Sequence, residues 1–356
     1  MKPITRASGA GMAALVASAL LAGCGGSSSD AGESCSGQKV TVGITNSASD
    51  APLYVADKRG HFKEQGLTVT FQPFDSAAKM IAPLGSGQLD VGAGAPSAGF
   101  YNAVSRGLPL RIVADKGSMP KGYGYMPVMV RKDLYDSGKV KKAADLKGLK
   151  VAEPAQATAT SSTLAAYLQT GGLKYNDVKH EYIGFAQHVT AFQNGAIDAS
   201  LTTEPSATVA EQAGVAVRVA SPPDFYDKQQ LAVLLYSGKF AEQKNLGTCF
   251  MTAYLKGARD YMAAFDDGKL VKGAKGDEIV KIVTAATGLK ASVYTAAVPN
   301  YVDPDGKVNV AGLKRDYDFF KQQGLLQGDV DVDEMVDSSF AEAAVAKLGN
   351  AGSAGS

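Results

Sequence analysis

The 356-residue chain has no tryptophan, only three cysteines and three histidines, and almost no excess charge, with 36 basic against 35 acidic side chains. Each shortage excludes something. His61, His180 and His188 are isolated from one another and from other candidate ligands, so they do not read as a metal site. A formal charge of +1 provides no basic field to hold nucleic acid. Cys24, Cys35 and Cys249 are too scattered for cysteine chemistry to be the function. Cys35 and Cys249 can pair in an oxidising compartment, but Cys35 falls in an expected tether, and the sequence leaves the bridge open. No apolar run approaches the ~20 residues that a membrane-crossing helix needs.

What is present at the start is a leader. Lys2 and Arg6 precede an apolar run from Ala10 to Leu21, then Ala22, Gly23 and Cys24. This is the pattern of a signal peptide, not a spanning helix. Leu21-Ala22-Gly23-Cys24 resembles the bacterial lipobox, which implies cleavage before Cys24 and lipid on its thiol. Removal of residues 1–23 takes away two basic and no acidic residues, so the formal charge changes from +1 to −1. The Gly- and Ser-rich stretch that follows cannot build a core and reads as a tether over 24–38. The remaining length exceeds what one core usually organises, so two lobes are expected.

One plan occurs twice. Val40-Thr41-Val42-Gly43-Ile44 reads as a buried strand, followed by a polar loop through Asp50 and a helix opening near Pro52. Leu149-Lys150-Val151-Ala152 leads in the same way through Thr158, Thr160 and Ser161 into a second helix. Each unit then reaches a helix end, a glycine stop and a short strand, at Gly87-Gln88-Leu89-Asp90-Val91 and at Gly195-Ala196-Ile197-Asp198-Ala199. Two extended segments, 122–131 and 231–236, read as the chain crossing out and back. These features predict lobe one over 39–125 and 235–348, lobe two with its crossings over 126–234, and a loose tail over 349–356.

Ala51-Pro52-Leu53-Tyr54-Val55-Ala56, Gly60-His61-Phe62-Lys63-Glu64-Gln65-Gly66-Leu67, Gly87-Gln88-Leu89-Asp90-Val91-Gly92, Ala196-Ile197-Asp198-Ala199 and Glu204-Pro205 occur in the order found in one family. Over residues 39–345 the chain resembles the nitrate, sulfonate and taurine type of ABC-transporter solute-binding proteins. The resemblance implies an α/β fold of the type II periplasmic binding class, with two lobes, a two-segment hinge and a ligand cleft between them. It also implies delivery of the ligand to a membrane permease and its ATPase, with no cofactor, no catalysis, and a monomer held at the outer face of the cytoplasmic membrane or in the periplasm.

The residues at the expected cleft suit a small organic anion such as a sulfonate, a taurine-like zwitterion or a carboxylate. Ala95, Pro96 and Ser97 open a helix after a Gly-rich turn, and helix N-termini attract anions. Ser47, Ser49 and Asp50 before the first helix, Ser76 after Phe74-Asp75, and Thr158, Thr160 and Ser161 in lobe two add polar groups at strand ends. His188 stands at an expected helix start as a donor, and Glu204 suits an ammonium group or braces the hinge. Tyr54, Phe74 and Tyr123 are candidates to flank an organic body.

Three rivals come from other classes, two of them enzymes and one a receptor. Ser76-Ala77-Ala78-Lys79 matches the S-x-x-K pattern of exported serine acyl-transferases, yet the S/Y-x-N and K-T/S-G elements those enzymes need are absent from the chain. Biosynthetic enzymes that share the fold, the thiamine-pyrimidine synthases, carry a Cys-rich motif that is missing here. A ligand-sensing receptor of the same fold would look identical in sequence.

Overall fold

The computed structural model describes residues 35–353. The expected leader, lipobox cysteine Cys24 and most of the tether lie outside the described residues. Ten strands form two mixed sheets of five. They are β1 (Gln38–Ile44), β2 (Leu67–Pro73), β3 (Val91–Gly94), β4 (Arg111–Met119), β5 (Val128–Arg131), β6 (Lys150–Glu153), β7 (Lys179–Tyr182), β8 (Ala199–Leu201), β9 (Ala216–Ala220) and β10 (Gln229–Tyr236). The first sheet runs β2-β1-β3-β10-β4 and the second β7-β6-β8-β5-β9. A short β-hairpin, 265–270, stands apart from both.

The repetition seen in the sequence is an architectural one. β1 pairs in parallel with β2 and β3, and β6 does so with β7 and β8. The fourth strand of each sheet is antiparallel and comes from a crossing: β5 enters the second sheet, and β10 returns to the first. The expected boundary at 234/235 therefore falls inside β10, all of which pairs with the first sheet. Buried along its whole length, β10 has the near-continuous apolar run Leu231–Leu235 that a strand covered on both faces requires.

The repeated Asp explains the motif that carries it. Asp90 Oδ2 accepts the Thr41 N–H at 2.8 Å, and Asp198 Oδ2 accepts the Lys150 N–H at 3.0 Å, so each side chain ties its lobe's third strand to the first. The glycines before them, Gly87 (φ 73°) and Gly195 (φ 71°), end their helices in the left-handed conformation that a Cβ disfavours.

The first lobe's core packs Val40, Val42, Leu53 and Val55 against Phe250, Tyr254 and Leu255 of the helix Lys244–Met262. Full burial of each aliphatic side chain contributes roughly 1.5–3 kcal/mol. The second lobe builds a separate core around Val128, Val151, Leu164 and Leu201. Folded structure begins before residue 39: Cys35 is buried and joined to Cys249 by a disulfide, and the Gly37 N–H donates to Gly66 O. The expected tether thus ends short of Cys35. The expected loose tail is also held at its beginning, where Arg259 Nη2 donates to Gly349 O and the Ala351 N–H donates to Asp305 Oδ1.

Candidate functional site

The loop after β1 carries three hydroxyls in a row. Thr45 Oγ1 and Ser47 Oγ lie 3.1 Å apart, and Ser47 Oγ and Ser49 Oγ 3.0 Å apart. Asp50 holds this loop in place, its Oδ2 accepting the Ser47 N–H at 2.9 Å and the Thr45 N–H at 3.3 Å. Behind the loop lies a residue that sequence reasoning missed. Lys116, fully buried on β4, pairs with Asp50 Oδ1 at 2.7 Å and donates to Ser49 Oγ at 2.8 Å. Burial lowers the pKa of its ammonium from the usual lysine value, and Asp50 opposes that shift.

Lysine only donates. With Ser49 accepting from Lys116, the Ser49 proton is free to pass to Ser47 and the Ser47 proton to Thr45. The chain then ends on the Thr45 hydroxyl, whose proton is left to donate to whatever lies beyond. The one sequence signal for Lys116 was a charged pair, Asp115-Lys116, directly after the apolar run Ile112-Val113-Ala114.

Beyond the hydroxyls is a cavity of about 40 Å³ between the lobes. At ~10–15 Å³ for one water-sized group, it has room for about three. Ser47, Ser49, Ser76 and Ala95 line it from the first lobe, Thr158 and Thr160 from the second. Thr45, Tyr125 and Thr203 complete the polar part of the wall and were not anticipated. The Tyr125 hydroxyl is buried and has no hydrogen-bond partner of ordinary geometry among the described residues. Ser76 begins a 3-10 turn with its side chain making no capping bond.

The other candidates are committed elsewhere. Asp50 is in the ion pair with Lys116. Ser97 Oγ accepts the Phe100 N–H at 3.2 Å as an N-cap, and Ser161 Oγ accepts the Thr158 N–H at 3.4 Å. The two helix starts, expected to face a common anion, bond to each other instead: the Ala98 N–H donates to Ala157 O at 2.9 Å, and the Ala159 N–H to Pro96 O at 3.2 Å. Each first-turn amide thus satisfies a carbonyl on the opposite lobe. Ala157 adopts φ 57° to do so, which costs a residue with a Cβ roughly 1–2 kcal/mol.

His188 is fully buried, not exposed at a helix start. Its Nε2–H donates to Ile183 O at 3.0 Å, and its Nδ1 lies 2.7 Å from Thr202 Oγ1, from which it accepts. Burial pushes its pKa down to about 4, so the ring is neutral and both nitrogens are occupied. Glu204 is a brace. Its Oε1 meets Arg218 Nη1 at 2.7 Å and accepts the Val298 N–H at 3.1 Å, while its backbone O accepts the Ala48 N–H at 2.9 Å. The last two bonds join the second lobe to the first, next to the cis bond between Glu204 and Pro205.

The serine-enzyme arrangement does not form. Lys79 pairs with Asp75 on the exposed side of its turn, while Ser76 is buried against the cavity. Phe74 and Tyr123 lie outside the wall of this cavity and of its neighbour.

Residues 47–266, which include Ser47 and Ser49 of the hydroxyl loop, both helix starts and Lys116, match the family model described as NMT1/THI5 like. The chain belongs to this family. Among relatives, the taurine-binding periplasmic protein of Escherichia coli K12 is 27% identical over 207 residues, 58% of this chain and 61% of that protein. The chain therefore matches about three fifths of that relative's length. A second protein of the same organism, named for aliphatic-sulfonate binding, is 23% identical over 272 residues, covering 75% of this chain and 79% of that one. The crystal structure of the periplasmic nitrate-binding protein of Synechocystis PCC 6803 superposes with a TM-score of 0.70 at 14% identity, over 87% of this chain and 89% of that one. The two-lobed α/β architecture is that of the type II periplasmic binding proteins.

Proposed function

We propose that this chain is the exported solute-binding component of an ABC importer, which captures a small organic anion between its lobes and delivers it to a membrane permease and its ATPase. The observation that carries this reading is the cavity walled by hydroxyls of both lobes and backed by the buried Lys116. Its size suits a head such as a sulfonate or carboxylate. Contacts to both lobes favour the closed over the open form, so capture is two-state closure with no covalent chemistry. Thr45, Ser47, Ser49, Ser76, Thr158, Thr160 and Tyr125 are the ligand contacts, and the relatives named for taurine and aliphatic sulfonates make sulfonates the first class to test.

Calorimetry with taurine and ethanesulfonate tests this directly. Loss of one charge-assisted hydrogen bond costs ~1.5–3 kcal/mol, so Ser47→Ala and Thr160→Ala each weaken binding about tenfold or more. Ser97→Ala instead lowers stability by about 1 kcal/mol, as for a lost N-cap, with affinity nearly unchanged. Unchanged affinity in both Ser47→Ala and Thr160→Ala would place the ligand elsewhere.

Anchoring is the second part of the proposal. Cys24→Ala abolishes labelling with fatty acid and releases the protein from membranes, and ligand affinity stays the same because the cavity lies wholly within the folded lobes. A Cys24→Ala protein that still labels ends the lipobox reading.

A further inference from the structure

A second and larger cavity adjoins the first. Its volume is about 400 Å³, against about 40 Å³ for the hydroxyl-lined cavity, and Ser47 lines both. The small one has room for about three water-sized groups, enough for an acidic head. The large one falls in the range of 300–1,000 Å³ usual for small-molecule sites.

Its lining is mixed, with Asn46, Ser47, Ser206 and Thr287 among larger apolar and aromatic groups. The first lobe contributes the rings of Tyr54, Tyr261, Phe265 and Tyr294 with Val283 and Val298; the second contributes Ala186 and the segment Glu204-Pro205-Ser206. The one charge among these groups, on Glu204, is neutralised by Arg218 at 2.7 Å. Polar groups remain within the wall: Tyr54 OH donates to Asn46 Oδ1 at 3.2 Å, and the Tyr294 hydroxyl is buried with no bond of ordinary geometry among the described residues. A chamber of this lining gains most from an apolar or aromatic group and nothing from a second charge.

We propose that this chamber, between the helices Ala274–Thr287 and Ala291–Ala296 and the Glu204-Pro205 segment, is a second subsite that takes the apolar body of the anion whose acidic head sits against Thr45, Ser47 and Ser49. The inference rests on the anion-capture reading above. Both lobes wall the chamber, so an apolar body there adds to the contacts that favour closure. Tyr54, suggested by the sequence as a flank for an organic body, is the one of the three such aromatics that the fold brings to it.

The test is calorimetry on the full chain with methanesulfonate, butanesulfonate and hexanesulfonate. A buried methylene is worth about a fourfold gain in affinity, so the series rises steeply with length. Ala286→Phe and Ala297→Phe add bulk at chamber positions that are exposed or half-buried and leave the core intact. Each is expected to weaken hexanesulfonate at least tenfold and to change methanesulfonate by less than twofold. Binding that is equally tight across the series overturns the chamber and leaves the anion reading standing. So does a loss that falls equally on short and long ligands in both variants. Failure of every sulfonate, methanesulfonate included, overturns the anion reading together with the chamber.

Discussion

Replacing Cys249 with serine, or reducing its bond to Cys35, lowers the stability of the folded chain by about 3–5 kcal/mol. The bridge joins residues 214 apart in sequence. In the chain-entropy account, a cross-link closing a loop of that length removes roughly 5 kcal/mol of freedom from the unfolded ensemble, with measured values commonly somewhat less. The Cα atoms lie 6.7 Å apart, within reach of a disulfide. Both cysteines are buried, Cys35 just before β1 and Cys249 in the helix Lys244–Met262, so loss of the bond also frees the start of the first sheet from the helix that covers it. For a chain of this size the midpoint of thermal unfolding falls by about 4–8 °C. Ligand affinity is expected to be unchanged, since neither cysteine lines either inter-lobe cavity. Scanning calorimetry of wild type, with and without reductant, and of Cys249→Ser checks this; a shift under 1 °C in both comparisons would mean the bond does not form in the protein.

The bridge also shows where sequence reading reaches its limit. Local features were legible because their causes are local. The strand Val40–Ile44, the glycine stops at Gly87 and Gly195 and the paired Asp90 and Asp198 each follow from residues within one βα unit, and their repetition revealed two similar lobes. Cys35 lies among small polar residues that read as tether, and only its partner 214 positions later shows that it belongs to the core. The exchange of strands was half legible. Two extended crossings were visible, but nothing local says that Val128–Arg131 and Gln229–Tyr236 each insert antiparallel between parallel neighbours.

The candidate site divides in the same way. Ser47, Ser49, Ser76, Ala95, Thr158 and Thr160 lie at strand ends that the fold brings together, and they meet at one cavity. Ser97, Ser161 and His188 looked equivalent in sequence. What separates them is placement: they do not line the cavity, whereas Thr158 and Thr160 do, even though Thr158 Oγ1 donates to Ala155 O at 3.5 Å and Thr160 Oγ1 to Met126 Sδ at 3.6 Å, and that placement depends on backbone angles no residue pattern encodes.

Lys116→Met is expected to cost about 3–5 kcal/mol of stability, because it leaves Asp50 charged, fully buried and without its ion-pair partner. The same substitution is expected to weaken anion binding about tenfold, for a different reason. Without the Lys116 N–H on Ser49 Oγ, that oxygen no longer has a donor fixed behind it, and the relay from Ser49 through Ser47 to Thr45 loses the bias that turns its last proton, on Thr45, toward the ligand. The net charge of the pair is zero, so the effect on the ligand comes from direction and not from long-range attraction. The two consequences separate in the double variant Lys116→Met with Asp50→Asn. An amide at position 50 still accepts the Ser47 and Thr45 N–H groups but carries no buried charge, so most of the lost stability returns. The affinity does not return, because the chain still lacks its donor at Ser49. Denaturant unfolding and calorimetric titration with ethanesulfonate on wild type, single and double variants provide both readouts. Affinity that recovers in step with stability would show that Lys116 acts only as a partner for Asp50; affinity that stays low while stability recovers identifies Lys116 as the residue that points the relay at the anion.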